Sequence, residues 1–162
     1  MRKKIYLDTS VVSYLRQEDV PTQMAQTREF WEILKSGKYD VYISEITLTE
    51  LSNCAEPKRT ELLVLLEEIK YTLIDVEENE EIAALAAEVE KMKIIPAKKV
   101  FDRLHIAAAI YKGCNVILSW NFDHMVNIKT IDGIRIVCLT NNVNPIDIYT
   151  PLVMLERSDS NG

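Results

Sequence analysis

The sequence predicts an α/β fold: a single domain with a mostly parallel central sheet of about five strands, flanked by helices. Short strand-prone runs such as Ile5-Tyr6-Leu7, Tyr71-Thr72-Leu73-Ile74 and Val116-Ile117-Leu118 alternate with segments whose apolar residues recur at i, i+3 and i+4. The alternation runs from end to end without an internal repeat or a linker, which favours parallel β-α-β winding. A chain of 162 residues, 48% of them hydrophobic, is enough for one core.

Taken in order, Lys4 to Leu7 reads as the first strand, stopped by Asp8, Thr9 and Ser10, and Thr9 to Glu18 as a short helix with Val12 and Leu15 inward. Pro21-Thr22 opens a second helix carrying Met24, Thr27, Phe30, Trp31 and Leu34, and Lys35-Ser36-Gly37 ends it. Tyr39 to Ile43 alternates as a strand, and Ser44 to Asn53 follows it as a helix. Pro57 begins a helix with the stripe Leu62, Leu65, Leu66 and Ile69, and Tyr71 to Ile74 is the next strand. The acidic run Glu77-Glu78-Asn79-Glu80-Glu81 opens a helix, its charges favourable to the helix dipole on a solvated face. Lys98 to Tyr111 is helical and apolar on nearly every side, the pattern of a buried helix. Val116 to Leu118 reads as a short buried strand and Ile134 to Leu139 as the last one. Pro145 to Leu155 is expected to pack a final short helix or turn. The domain should span residues 1–157, with 158–162 a flexible polar tail.

Composition narrows the function. The basic start Met1-Arg2-Lys3-Lys4 precedes an apolar run broken by Asp8, which is not the pattern of an export signal, and no apolar run reaches bilayer length. Cys54, Cys114 and Cys138 have no metal-ligand spacing and read as reduced thiols in a cytoplasmic protein without a membrane partner. Four glycines, none in a phosphate-cradling loop, leave out the usual nucleotide-binding fingerprints. The net charge of −6 counts against a generic nucleic-acid binder, although basic groups stand at Arg2-Lys3-Lys4, Lys58-Arg59 and Lys98-Lys99, with Arg103 shortly after.

What stands out is the placement of the acids. Asp8 directly follows the first strand, at the sheet edge where open α/β folds bind ligands, and it reads either as a helix N-cap or as a site carboxylate. Glu50 lies early in the helix after the second strand, where Thr47-Leu48-Thr49-Glu50 also fits a capping box. Asp102 sits near the start of the buried helix, where a carboxylate needs a partner: the helix N-terminus, Lys99, Arg103 or a metal. Ser119-Trp120-Asn121-Phe122-Asp123 leaves the strand Val116 to Leu118 at the same edge as Asp8, as a turn or as part of a site. Acids gathered at one sheet edge suit Mg²⁺ or Mn²⁺, which take oxygen ligands and share phosphate oxygens with a substrate. His105 and His124, the two histidines, have no ligand spacing to each other, and His105 reads as a packed core residue.

Four segments in this order resemble a known family: Ile5-Tyr6-Leu7-Asp8-Thr9-Ser10, Ser44 to Leu51, Asp102 to Ala109, and Ile117 to Asp123. Over nearly its whole length the chain resembles the PIN domain, the metal-dependent nuclease fold, and within it the VapC-type toxins of bacterial toxin–antitoxin pairs. The resemblance implies a catalytic set of Asp8, Glu50, Asp102 and Asp123. Of these, Asp8, Asp102 and Asp123 would hold Mg²⁺ or Mn²⁺, with Thr9, Ser119 and Asn121 in support. The family motif Thr-x-Asp-x-Asp is met here by Ser119, Asn121 and Asp123, so its first acid is an uncharged amide and Asp123 the outer acid. One metal or two is left open. Lys98, Lys99 and Arg103 would steer the strand by position.

The resemblance further implies an RNA substrate, hydrolysis by metal-activated water, a cognate antitoxin protein covering the acidic cleft, and a homodimer. A phospho-receiver domain would need an acidic pair after the first strand and a Lys after the last; Thr9 follows Asp8, and Leu139-Thr140-Asn141 has no Lys. An aspartyl phosphotransferase would need an acid where Ser10 stands. The nearer rival is a catalytically inactive PIN-like module that binds protein or RNA, which Asn121 favours and intact Asp8, Glu50 and Asp102 oppose.

Overall fold

The computed structural model describes residues 1–160. Strand β1 (Lys4–Leu7) leads into α1 (Thr9–Ser13), which continues as a 3₁₀ turn over Tyr14–Arg16. Next come α2 (Pro21–Lys35), β2 (Asp40–Ser44), α3 (Glu45–Ser52), α4 (Lys58–Leu66) and β3 (Tyr71–Ile74). The second half holds α5 (Glu80–Lys91), α6 (Val100–Tyr111), β4 (Val116–Leu118), α7 (Ile128–Thr140), β5 (Asp147–Tyr149) and α8 (Pro151–Ser160). Local signals set several boundaries. Pro21 occupies the first turn of α2, Asn79 accepts from the Ile82 amide at the start of α5, and Gly113, at φ +65°, ends α6.

The five strands form one parallel sheet in the order β3-β2-β1-β4-β5. Ile5 lies opposite both Val41 and Val116, and Leu7 opposite Leu118. Strand alternation then divides the core between two faces. Ile5, Leu7, Ile43 and Leu118 pack on Phe30, Trp31, Leu62 and Met154 from α2, α4 and α8. Tyr6, Ile117 and Ile148 face Ile82, Ile106, Ile134 and Val137 from α5, α6 and α7. Each fully buried Leu or Ile contributes on the order of 1.5–3 kcal/mol. In α6, Ala107, Ala108 and Ala109 are wholly buried, and their small side chains let the helix lie close to the sheet and to α5.

The order reverses between β1 and β4, since the chain first adds strands on one side of β1 and then on the other. Such a switch point leaves a crevice beyond the carboxyl ends of the two strands. Here the edge is tied by backbone bonds from the Asp8 amide to the Leu118 carbonyl and from the Ser119 amide to the Tyr149 carbonyl, each 3.0 Å. Among the described residues, no helix is long and apolar enough to cross a membrane.

One expectation is corrected. Ile134 to Leu139 is the second half of helix α7 rather than the last strand, which is instead Asp147–Tyr149. The β-branched run is strand-prone, but Asn127 caps the helix by accepting from the Thr130 amide. The inward residues Thr130, Gly133, Ile134, Val137 and Cys138 then follow a helical period. Gly133 lets α7 approach Ile94, since a Cβ there would lie 2.7 Å from Ile94 Cγ2. At the carboxyl end, α8 spans Pro151–Ser160, and residues 161–162 lie outside the described residues.

The helical period of α7 is testable. Ile134 is fully buried while Ile136 is half-exposed, whereas a strand would place both on one face. Ile134→Ala should cost about 2–5 kcal/mol in urea denaturation, and Ile136→Lys should stay within about 0.5 kcal/mol of the wild type. Equal losses would contradict the helix.

Candidate functional site

Asp8 leaves β1 in extended conformation and precedes α1, yet its side chain makes no capping bond. The carboxylate is instead buried, 5% exposed, at the switch point. Its Oδ2 accepts from Ser119 Oγ at 2.6 Å and Ser10 Oγ at 3.0 Å. Each hydroxyl in turn accepts a backbone amide of the loop after β4, Ser10 from Trp120 and Ser119 from Asn121, both at 2.9 Å. Asp8 is therefore held by α1 and by the β4 loop together.

Glu50 lies one turn into α3 and does not form the capping box. Ser44 caps this helix by accepting from the Ile46 amide, which frees the Glu50 carboxylate to turn toward the sheet edge. There Oε1 accepts from Thr9 Oγ1 at 2.7 Å and pairs with His105 Nε2 at 2.6 Å. His105, far from being an inert core residue, is completely buried between acids: Nε2 is also 3.5 Å from Asp8 Oδ1. Its Nδ1 meets the Tyr6 hydroxyl, which lies 2.8 Å from Ser44 Oγ. Burial pulls the imidazole toward neutrality, but the Glu50 bond and the charges of Asp8, Glu50 and Asp102 outweigh it and raise the His105 pKa. Conversely, burial would raise Glu50, and the bond and charge of His105 with the Thr9 hydroxyl hold it below its ordinary range. Burial pushes the Tyr6 hydroxyl far upward, so it stays protonated.

Asp102, in the first turn of α6, is half-buried and hydrogen-bonds through Oδ2 to His124 Nδ1 at 2.8 Å. Burial raises its pKa and the nearby charge of Asp8 adds to the rise, against the opposing pull of His124 and His105. Glu50, Asp102, Asn121 and His124 line a cleft of about 540 Å³, with Lys98, Lys99 and Phe101 at its margin.

Asp8 and Glu50 share His105, Ser119 and Thr9 bond to those two acids, and Asp102 lines the cleft with Glu50; Asp123 and Arg103 lie apart from these contacts. Asp123 is exposed in the turn after β4 and outside the cleft; it offers its backbone carbonyl to Asn127 at 3.0 Å. Asn121 faces the cleft, with its side-chain carbonyl accepting the His124 amide at 3.0 Å. Arg103, expected to steer the strand, is 6% exposed, and its Nη1 donates to the carbonyls of Pro96 and Ala97. Sequence reasoning missed Tyr6, His105 and His124. A tyrosine between Ile5 and Leu7 in a central strand does signal a buried hydroxyl that needs a partner, and His105 falls one turn after Asp102 on the same helix face.

Asp8, Glu50 and His105 bring potential ligand atoms within 4.8 Å of one another. Chemistry divides this trio. The His105 Nε2 proton is engaged with Glu50, so the imidazole is a counter-charge, and within the trio the oxygens of Asp8 and Glu50 are the atoms of the kind a hard cation takes.

With this geometry in place, comparison with known proteins gives a consistent frame. Residues 5–127 match the PIN domain, and the chain belongs to that family. The matched segment contains Asp8, Glu50, Asp102, Asn121 and His124. Comparison with curated proteins finds no match. Among solved structures, the chain is similar to one in the crystal structure of VapBC2 from Rickettsia felis bound to a DNA fragment from their promoter. The TM-score is 0.57 at 15% identity, over 91% of this chain and 98% of that one, a likeness of fold.

The Glu50–His105 pair has a defined pH signature. A lowered Glu50 pKa gives stability present above its ordinary value of about 4.5 and lost as pH falls through the folded value. A raised His105 pKa gives stability present below about 6.5 and lost as pH rises through the folded value. The stability difference between wild type and His105→Gln, measured by denaturation in a chelating buffer, should be largest between these pH values. It should shrink on either side, and a flat profile would rule out the charged pair.

Proposed function

We propose that the protein is a divalent-cation-dependent endoribonuclease of the VapC toxin type, acting in the cytoplasm. The observation that carries this reading is the gathering of three carboxylates at the β1–β4 switch point: Asp8 and Glu50 share His105, Asp102 lines the cleft with Glu50, and the charge of Asp8 acts on Asp102. Acids gathered this closely repel one another, as the upward push of Asp8 on Asp102 records, and a cation relieves that repulsion. The donor set fits the group: the carboxylates offer oxygens, and the two neighbouring imidazoles are engaged, His105 with Glu50 and His124 with Asp102. When bound, Mg²⁺ or Mn²⁺ supplies the Lewis acidity that makes water a nucleophile near neutral pH and offsets charge on the phosphate.

The remaining work falls to the chain itself. Ser10 and Ser119 fix the Asp8 carboxylate, and Thr9 and His105 fix Glu50, so the acids are pre-organised before substrate arrives. Lys98 and Lys99 at the margin attract the RNA backbone toward an otherwise anionic cleft. An amphipathic, basic segment of a cognate antitoxin suits the same cleft, whose rim carries the exposed apolar residues Val100 and Phe101. The toxin reading also entails a homodimer. The three free cysteines suit a reducing compartment.

A second reading, a non-catalytic PIN module binding protein or RNA, is favoured by one observation: Asn121 replaces an acid and engages its carbonyl in the turn. The two readings separate on single-stranded RNA assayed with Mn²⁺, Mg²⁺ or chelator. Cleavage should require the cation, and Asp8→Asn should reduce it by more than the ~10–100-fold typical of residues one layer out from a metal. Lys98→Ala with Lys99→Ala should raise KM more than it lowers kcat. Cation-independent cleavage, or full activity in Asp8→Asn, would overturn the nuclease assignment; no cleavage of any RNA would favour the module.

A further inference from the structure

Asn121, an amide where the family resemblance implies an acid, lines this cleft, and a histidine three residues later occupies the space beside Asp102. Asn121 cannot supply charge, and its side-chain carbonyl is engaged with the His124 amide. The same residue shapes the turn through its backbone, whose carbonyl accepts the amides of Met125 and Val126. On its other side, the His124 carbonyl accepts from Thr130 Oγ1 at 2.9 Å, and Thr130 is wholly buried in the first turn of α7. His124 is thus fixed by side chains at both its amide and its carbonyl. Its imidazole is one-fifth exposed at the cleft, with Nδ1 2.8 Å from Asp102 Oδ2.

An ionised carboxylate can only accept, so the bond places a proton on Nδ1 and occupies one Asp102 oxygen. Among the described residues, no hydrogen bond engages the other oxygen, Oδ1. We propose that His124 is a positioning residue for the cation site: by donating from Nδ1 to Oδ2 it sets the Asp102 rotamer and leaves Oδ1 open to the cleft. The turn capped by Asn121 serves to present that imidazole. On this view the site compensates for its missing acid by orienting one it retains, and Asn121 belongs to the support of His124 rather than to the ligand set. The role rests on the cation reading above and sharpens it.

Calorimetric titration of Mn²⁺ into the full chain separates the two ideas. Wild type is compared with Asp8→Asn, His124→Ala, His124→Leu and His124→Asn, with thermal unfolding in chelator as the fold control. Asn places an amide N–H close to the position of Nδ1, while Leu fills the volume without a donor and serves if the Ala variant is unstable. Loss of an orienting partner typically weakens metal binding 10–100-fold. We expect about tenfold weaker Mn²⁺ binding in His124→Ala and His124→Leu, and affinity near wild type in His124→Asn. Wild-type affinity in the Ala or Leu variant, with binding lost in Asp8→Asn, would overturn the positioning role and leave the cation site standing. An Asn variant as weak as Ala would likewise overturn the Nδ1 donation. No binding by the wild type would overturn the cation reading and this role together.

Discussion

A carboxylate removed from water must be met by hydrogen bonds or by positive charge, and Asp8, almost fully buried at the switch point, imposes that condition on its surroundings. Ser10 and Ser119 meet it from two segments more than a hundred residues apart in sequence. Because each serine hydroxyl also accepts a backbone amide of the loop after β4, the same bonds that satisfy Asp8 shape that loop. His105 approaches from the opposite side, carried by the most buried helix of the domain. Its ring joins α6 to β1 through Tyr6, and Tyr6 reaches Ser44 at the end of β2. Three neighbouring strand ends, two helices and one loop are thereby locked around a single charge.

The electrostatic balance of the cleft follows from the same constraint. Its acids are not equivalent: Glu50 is stabilised in the ionised form by His105, whereas Asp102 is pushed toward protonation by burial and by Asp8. One buried imidazole offsets part of the negative charge, and Lys98 and Lys99 add positive charge only at the margin. The net charge of −6 for the whole chain therefore says little about affinity for an anion.

Much of the frame was legible because strand periodicity and helix signals agree along most of the chain. Tyr71–Ile74 and Val116–Leu118 are strands within the residues expected, and Asp8, Glu50 and Asp102 follow the elements that bring them to one edge. Local propensity misled where tertiary packing decided otherwise. The run Ile134 to Leu139 is β-branched, yet the Asn127 cap and the close approach of Gly133 to Ile94 hold it helical. Histidines were the hardest to read. A lone His carries no spacing signal, and the roles of His105 and His124 depend on partners 55 and 22 residues away in sequence, which only the fold brings close. Arg103 shows the reverse case, a charge that looks available in sequence and is consumed by backbone carbonyls.

That last contact has a mechanical side. By gripping the carbonyls of Pro96 and Ala97 from within α6, Arg103 works as a short guy-line on the connection between α5 and α6. The next two residues are Lys98 and Lys99, so the basic arm at the cleft margin is a stub of fixed length rather than a swinging tether. A stub gains less reach than a tether but loses less freedom when it is ordered by a contact. The placement of those two lysine backbones relative to the carboxylates of the cleft is then largely a property of α6.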